Sequence, residues 1–537
     1  MLVLLGCVAT SFAVIGPLLA TGRHLTGGDG LYPVDQLQYL SWIRQAADHG
    51  LIANRWDMAP DTRVFLHPAW LISGGAAHWL GLPIEFSNFA IWKPVSILVA
   101  FIACRQYTRR MLKPVWPARV GLVLALFTLV PASTVLGFFG AGSNLRYNLD
   151  FITSEMWPGQ QLIGYEVGAI AVFLVPLILL GLERSRGTAR VGLLAVCSAG
   201  ALLVTWLQPW QGAELVIIVC ATELWRWWRN NERPWLPMLA VPVLGTLPAI
   251  YYFVLEQTDP AWQLYGKENS ATANPIWDWS WWAVAICLLP LALPALLGLW
   301  RKASDWQGTA VRIWPIAVAF VYLQPSGTFP FHAVQGLSIP LAVLAVQGLT
   351  TNRPSRVPAP RWWWVVPALL ILAIPGPIHR LRMAKTNVDT RLFPYEFGPG
   401  EREALDWLNS EPTPGAVLAE AYGGLLVPAF AGREAYMGTP SLTRDYKLRQ
   451  GAMFILLYGN MKPTAAREFV RASGARFIFL SCQPGERPQR DLSPVLGPLV
   501  QRKLAFGCSR VYVLKPTPAS RKLQTASGRT LEQLLKP

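Results

Sequence analysis

The feature that most limits what this chain can fold into is a recurrence of long apolar runs. About eleven of them, centred near residues 12, 95, 127, 171, 198, 219, 246, 289, 317, 342 and 370, occupy its first two-thirds. A helix needs roughly 20 apolar residues to cross the hydrocarbon core of a bilayer. The chain therefore reads as a polytopic α-helical membrane protein of about eleven transmembrane helices. With 53% hydrophobic and 15% charged residues over 537 positions, it is too apolar for a soluble enzyme of that length. The first run has no basic residue ahead of it and reads as a retained span rather than a cleaved signal peptide.

A formal net charge of +16 raises the question of nucleic acid, and the placement of the charge answers it. Basic clusters fall at 105–119, 184–190, 226–233, 301–312 and 353–361, in every second loop. The alternate loops carry Asp150, Glu155, Glu256 and Asp259 with few basic residues beside them. Positive loops stay on the cytoplasmic side, so the N-terminus is expected in the cytoplasm and the chain's end outside, in the cell (inner) membrane. The basic balance signals topology, and no nucleic-acid partner is expected.

Composition changes after residue 379, dividing the chain into a multispan domain, 1–379, and an extracytoplasmic α/β domain, 380–537. The tail alternates helical and strand patterns: helices at 401–409, 445–459 and 465–474, strands at 416–421, 475–480 and 510–516. Cys482 and Cys508 end and precede two of those strands, so they form either a disulfide or two buried thiols. Between a strand and a helix, 423–440 is rich in Gly and Pro and reads as a loop, either a groove wall or a lid. The apolar runs themselves read as almost free of charge at mid-depth, which weakens a transporter reading.

The polar segment after the first run, a long outer loop over 22–85, is where chemistry is expected. Asp29 stands in a Gly-rich approach, and Asp35 starts a helical pattern in which Tyr39 and Ile43 recur at i+4 and i+8. His67-Pro68 then leads back toward the second run. Asp at a helix start also serves simply as a cap.

These residues resemble the first outer loop of the GT-C glycosyltransferases, membrane enzymes that take a sugar from a polyprenyl-phosphate carrier. In their aminoarabinose and protein mannosyl transferase branch, a D-E-x-x-Y-like motif follows the first span and an [HK]-P-P-like motif precedes the second. Here these positions are Asp35-Gln36-Leu37-Gln38-Tyr39 and His67-Pro68-Ala69, with Gln36 and Ala69 departing from the pattern. The resemblance implies Asp35 as the base of an inverting sugar transfer, with Asp29, Tyr39 and His67 binding substrate. It also implies acidic residues in the second outer loop, where Asp150 and Glu155 are candidates for substrate or for a divalent Mg or Mn ion. Arg146 and His332 are candidates for the donor phosphate. The implied partners are a polyprenyl-phosphate sugar and a glycan, lipid or protein acceptor; a lipid or polysaccharide flippase and a non-catalytic scaffold are the alternatives.

Overall fold

Proline divides the first apolar run. The helix Leu2–Ser11 stops at Phe12, and a second short helix, Ile15–Ala20, contains Pro17. A proline nitrogen donates no hydrogen bond to the preceding turn, so the single span expected near residue 12 is two short helices. The computed structural model used here describes residues 1–22, 24–29, 33–58, 62–128, 140, 155–272, 281–300, 303, 305–324, 330–350, 367, 371, 375–389, 394–459, 461–482 and 489–516. It separates into two units, one of residues 1–14, 90–254 and 269–385, the other of residues 15–89, 255–268 and 386–537.

Among the described residues three helices are long and apolar enough to cross a membrane: Ile84–Met111, Glu166–Thr188 and Leu236–Thr258. Shorter apolar helices include Val115–Phe127, Val191–Leu207, Leu288–Leu299 and Ser338–Thr350. The start of the run expected near residue 370 lies outside the described residues. Val243, Leu247, Ile250 and Val254 form an exposed apolar stripe at helical spacing, the pattern of a face turned to hydrocarbon.

In the first unit, the basic clusters fasten helix ends to one another. Arg110 pairs with Glu183 and with Asp305, Arg186 with Glu223 at 3.1 Å, and Arg226 with Glu232. Trp225, Trp227 and Trp228 are exposed nearby, as amphipathic rings are at a headgroup layer. The expectation of charge-free helix interiors fails at Lys93. This residue of the Ile84–Met111 helix is fully buried, and its Nζ donates to Glu166 Oε1 at 2.7 Å and to the Ser11 carbonyl at 2.8 Å.

The second unit contains a four-stranded sheet of order β1-β2-β4-β3, with β1 Val417–Leu418, β2 Phe477–Leu480, β3 Val500–Phe506 and β4 Ser509–Leu514. β1 runs parallel to β2, while β4 is antiparallel to both of its neighbours. Helices Glu401–Ser410, Tyr446–Leu457 and Pro463–Ser473 pack around it. Strand β3 escapes the periodicity argument because it is an edge strand whose Gln501, Arg502 and Lys503 are exposed. Register explains the disulfide between Cys482 and Cys508. Leu480 pairs with Arg510, which sets positions 482 and 508 opposite each other, and their Cα atoms are 5.7 Å apart.

The first half of the Gly/Pro-rich stretch 423–440 is helical rather than a loop. Helix Ala421–Leu426 runs directly into a π-turn, Val427–Ala431, and every residue of that run from Tyr422 is buried. Gly424 is there for close approach: a Cβ on it would meet the Met437 carbonyl oxygen at 1.8 Å. The first-loop segment packs on this same region. Trp56 Nε1 donates to the Gly424 carbonyl at 3.0 Å, Arg44 donates to that of Phe430 at 2.9 Å, and Asn54 to that of Leu442 at 2.9 Å.

Candidate functional site

Helix Pro33–His49 begins with proline, whose fixed φ suits a first turn, and places Asp35 in that turn. Unpaired N–H groups and the helix dipole favour an anion at this end. Asp35 is half-buried, whereas Asp29 is 3% exposed. Gln36 joins the two segments, because its side-chain oxygen accepts the Asp29 backbone N–H. The position that departs from the motif is thus the one that holds the Gly-rich approach. Burial first, and then the Asp29 charge, push the Tyr395 hydroxyl up.

Tyr39, one turn beyond Asp35, stacks on Trp70 with centroids 4.7 Å apart, and Trp70 stacks on His67 at 4.8 Å. His67 precedes helix Pro68–Leu80, which the sequence leaves unread inside the first loop. Burial pushes the His67 imidazole down to about 3. It is therefore neutral near pH 7. The stack continues through Trp42 to Phe65, at 5.2 Å, and Trp262, at 6.2 Å. In the second unit, then, Asp29 is held by Gln36, next to Asp35 in the chain, and Tyr39, one turn beyond Asp35, is joined through Trp70 to His67.

In the first unit the structure brings Glu155 and His332 together across 177 positions, with His332 Nδ1 3.2 Å from Glu155 Oε2. Gln335 donates to the same carboxylate oxygen at 2.6 Å. Arg146 and Asp150 lie outside the described residues. Glu155 and His332 are donor types that a divalent ion takes, but among the described residues no third His, Cys, Asp or Glu joins them.

The sequence reading passed over the glutamines around this pair. Gln208 donates to Gln335 Oε1 at 2.9 Å; Gln211 donates to the carbonyls of His332 and Gln335, each at 3.2 Å, and lies 3.4 Å from Glu214. Gln160 and Gln161, in the short helix Pro158–Gln161, are at most 1% exposed, and both ends of each carboxamide lack a partner among the described residues. Such a group costs about 1–3 kcal/mol when nothing satisfies it. Lys93 was the one legible signal missed, since a lysine inside an apolar run marks a functional or paired site.

No protein-family model matches the sequence, and no curated protein sequence matches it. Solved structures do match the fold. The oligosaccharyltransferase of Archaeoglobus fulgidus in complex with Zn and sulfate superposes with a TM-score of 0.51 at 11% identity, over 89% of this chain and 67% of that one. The AglB oligosaccharyltransferase from Archaeoglobus fulgidus, with an inhibitory peptide and a dolichol-phosphate, gives 0.50 at 11% identity, over 89% and 68%. ArnT from Cupriavidus metallidurans, bound to undecaprenyl phosphate, gives 0.49 at 13% identity, over 95% and 97%. The chain has the GT-C fold.

Proposed function

We propose that the chain is an inverting glycosyltransferase that moves a sugar from a polyprenyl-phosphate carrier to a hydroxyl of an extracytoplasmic glycan, lipid or protein. The observation that carries this reading is Asp35, a partly exposed carboxylate in the first turn of Pro33–His49, flanked by Asp29 and the Tyr39–Trp70–His67 stack. The likeness in fold to an oligosaccharyltransferase whose structure holds a dolichol-phosphate supports the choice of carrier. In the reaction, the acceptor oxygen attacks the anomeric carbon as its proton passes to the Asp35 carboxylate. The bond from that carbon to the phosphate oxygen breaks, and the lipid phosphate departs as a stable anion that needs little protonation. A positioned base contributes about 10²- to 10⁴-fold.

The membrane arrangement belongs to the same proposal. It has about eleven spans in the cell membrane, the N-terminus in the cytoplasm, and both the first loop and the 380–537 domain outside. Its basis is the alternation of basic and acidic loops. The Asp35→Asn variant keeps shape and hydrogen bonding and removes the base. With purified protein in detergent and a panel of polyprenyl-phosphate sugars, release of lipid phosphate should fall by about 10²- to 10⁴-fold while the protein stays folded. Unchanged release would remove Asp35 from the role.

A second reading, a flippase for a lipid-linked sugar, draws on the buried Lys93–Glu166 pair, since charge inside an apolar helix often lines a path. Translocation of a fluorescent polyprenyl-phosphate sugar across vesicles, without cleavage of the sugar, would favour it.

A further inference from the structure

The glutamines of the first unit are more numerous than its packing uses. Gln208, Gln211 and Gln335 are tied to one another's segments and to Glu155 and His332, whereas Gln160 and Gln161 keep unpartnered carboxamides at no more than 1% exposure. Gln161 belongs with the tied set. Both its Oε1 and Gln208 Nε2 flank Gly168, at 3.3 and 4.0 Å from where a Cβ on that residue would stand. A glycine in the first turn of Glu166–Thr188 therefore keeps the space between two carboxamide ends clear.

We propose that this cluster is the recess for an uncharged, hydroxyl-rich sugar head group. The inference rests on the function proposed above only in taking the sugar to arrive on a lipid phosphate. A carboxamide presents two donors and an acceptor on one planar end, and a sugar presents neighbouring hydroxyls that each donate and accept. Buried polar groups in folded proteins are satisfied as a rule, so the free ends of Gln160 and Gln161 have a partner in the working protein. Glu155 and Glu214, both buried in the same set, offer oxygens to sugar hydroxyls, and the Glu155 carboxylate disfavours an anionic sugar such as a uronate. Trp210, half-buried and edge-on to His332 at 4.8 Å, gives the recess an apolar side for the C–H face of a ring.

The test uses full-length protein in detergent carrying Asp35→Asn, so that binding is read without turnover. Polyprenyl-phosphate mannose, polyprenyl-phosphate arabinose and polyprenyl-phosphate glucuronate are compared with bare polyprenyl phosphate. The neutral sugars should bind more tightly than the bare lipid, and the glucuronate should not. Gln161→Met should cut that sugar-dependent gain about tenfold and leave the bare lipid unaffected. Its thermal midpoint should not fall, because no hydrogen bond within the protein is lost; a merely structural glutamine would show the opposite pattern. Gly168→Val, which fills the space without removing a polar group, should match Gln161→Met in binding. If sugar-bearing and bare lipid bind alike, or the Gln161→Met loss falls on both, the recess is hydrated only and the inference fails while the proposed transfer stands. If no lipid phosphate binds at all, both fail together.

Discussion

The two units differ in how their most buried carboxylates and carboxamides are met. In the second, the buried carboxylates of Asp57 and Glu401 are each met within hydrogen-bonding distance. Asp57 accepts from Arg449 at 2.8 Å and lies 3.3 Å from Arg444. Glu401 takes the backbone N–H of Gly398 at 2.6 Å, that of Cys482 at 3.0 Å and the Tyr422 hydroxyl at 3.3 Å. In the first, one closed ion pair, Lys93–Glu166, stands in the same unit as carboxamides that nothing among the described residues satisfies. Satisfied groups hold a fold together; buried groups without a protein partner are met by ordered water or by a ligand. On this view the second unit's polar contacts dock the first loop on the α/β sheet, and the glutamines are the groups that the proposed sugar recess would use.

The largest effect should come from splitting the buried pair. Lys93→Met strands Glu166, 4% exposed, without its cation. Removing one partner of a buried pair costs about 3–5 kcal/mol, whereas replacing both with apolar residues is often neutral. Thermal unfolding in detergent should show a large loss for Lys93→Met and recovery in Lys93→Met/Glu166→Leu. If the double variant folds as well as the parent but no longer releases lipid phosphate, the pair belongs with the chemistry and the contrast between the units weakens.

His67 is a titratable case in the second unit: its Nδ1, like Gln45 Nε2 and Trp70 Nε1, has no partner among the described residues, and it is 6% exposed. Its folded value, about 3, lies below the unfolded 6.5. Between those values the unfolded chain binds the extra proton, so stability is fully present above pH 6.5 and is lost as pH falls toward 3. By roughly pH 4.5 the loss amounts to about 3 kcal/mol. His67→Phe, which keeps the ring beside Trp70, should flatten this part of the pH–stability curve. An unchanged curve would mean that His67 is hydrated rather than sealed.

How much of this could be read from the chain depended on whether a signal was local. Asp35 and the Tyr39–Ile43 spacing announce a helix start, and helix Pro33–His49 begins two residues ahead of Asp35. The tail's helices and three of its strands are local patterns as well, and they emerge with shifts of a few residues at their ends. The Glu155–His332 pair spans 177 positions, and no periodicity encodes it. The 423–440 stretch misled for a physical reason. Glycine marks a turn when it supplies a positive φ, but Gly424 is small because the Met437 carbonyl lies against it inside a helix. Gln160 and Gln161 look like ordinary loop residues until their burial is known.

A smaller effect should follow from Asp57→Asn. Arg449, whose guanidinium also lies 4.7 Å over the Tyr436 ring, keeps its bonds to the carbonyls of Asp57 and Tyr436 and loses only the carboxylate. A hydrogen bond to a charged partner is worth about 1.5–3 kcal/mol. Because Asp57 lies in the first loop and Arg449 in helix Tyr446–Leu457, the loss should appear as faster proteolysis of the 50–66 segment before global unfolding. Cleavage only after the whole chain melts would mean that the docking is not a separate step.

The smallest change tests the same docking without touching charge. Trp56→Phe keeps a buried ring against Gly438 and deletes one indole N–H, whose bond to the Gly424 carbonyl measures 3.0 Å. The expected cost is about 1 kcal/mol for the bond. The change also leaves a carbonyl of the Ala421–Leu426 helix without that donor. If polar satisfaction is what secures the second unit, hydrogen exchange should quicken at Gly424 and in the neighbouring turn more than at β2, whose ladder to β4 is untouched. Uniform acceleration across β2 and this turn would instead make the two one cooperative block, held by apolar packing, and would reduce the contrast between the units to one of lining rather than of stability.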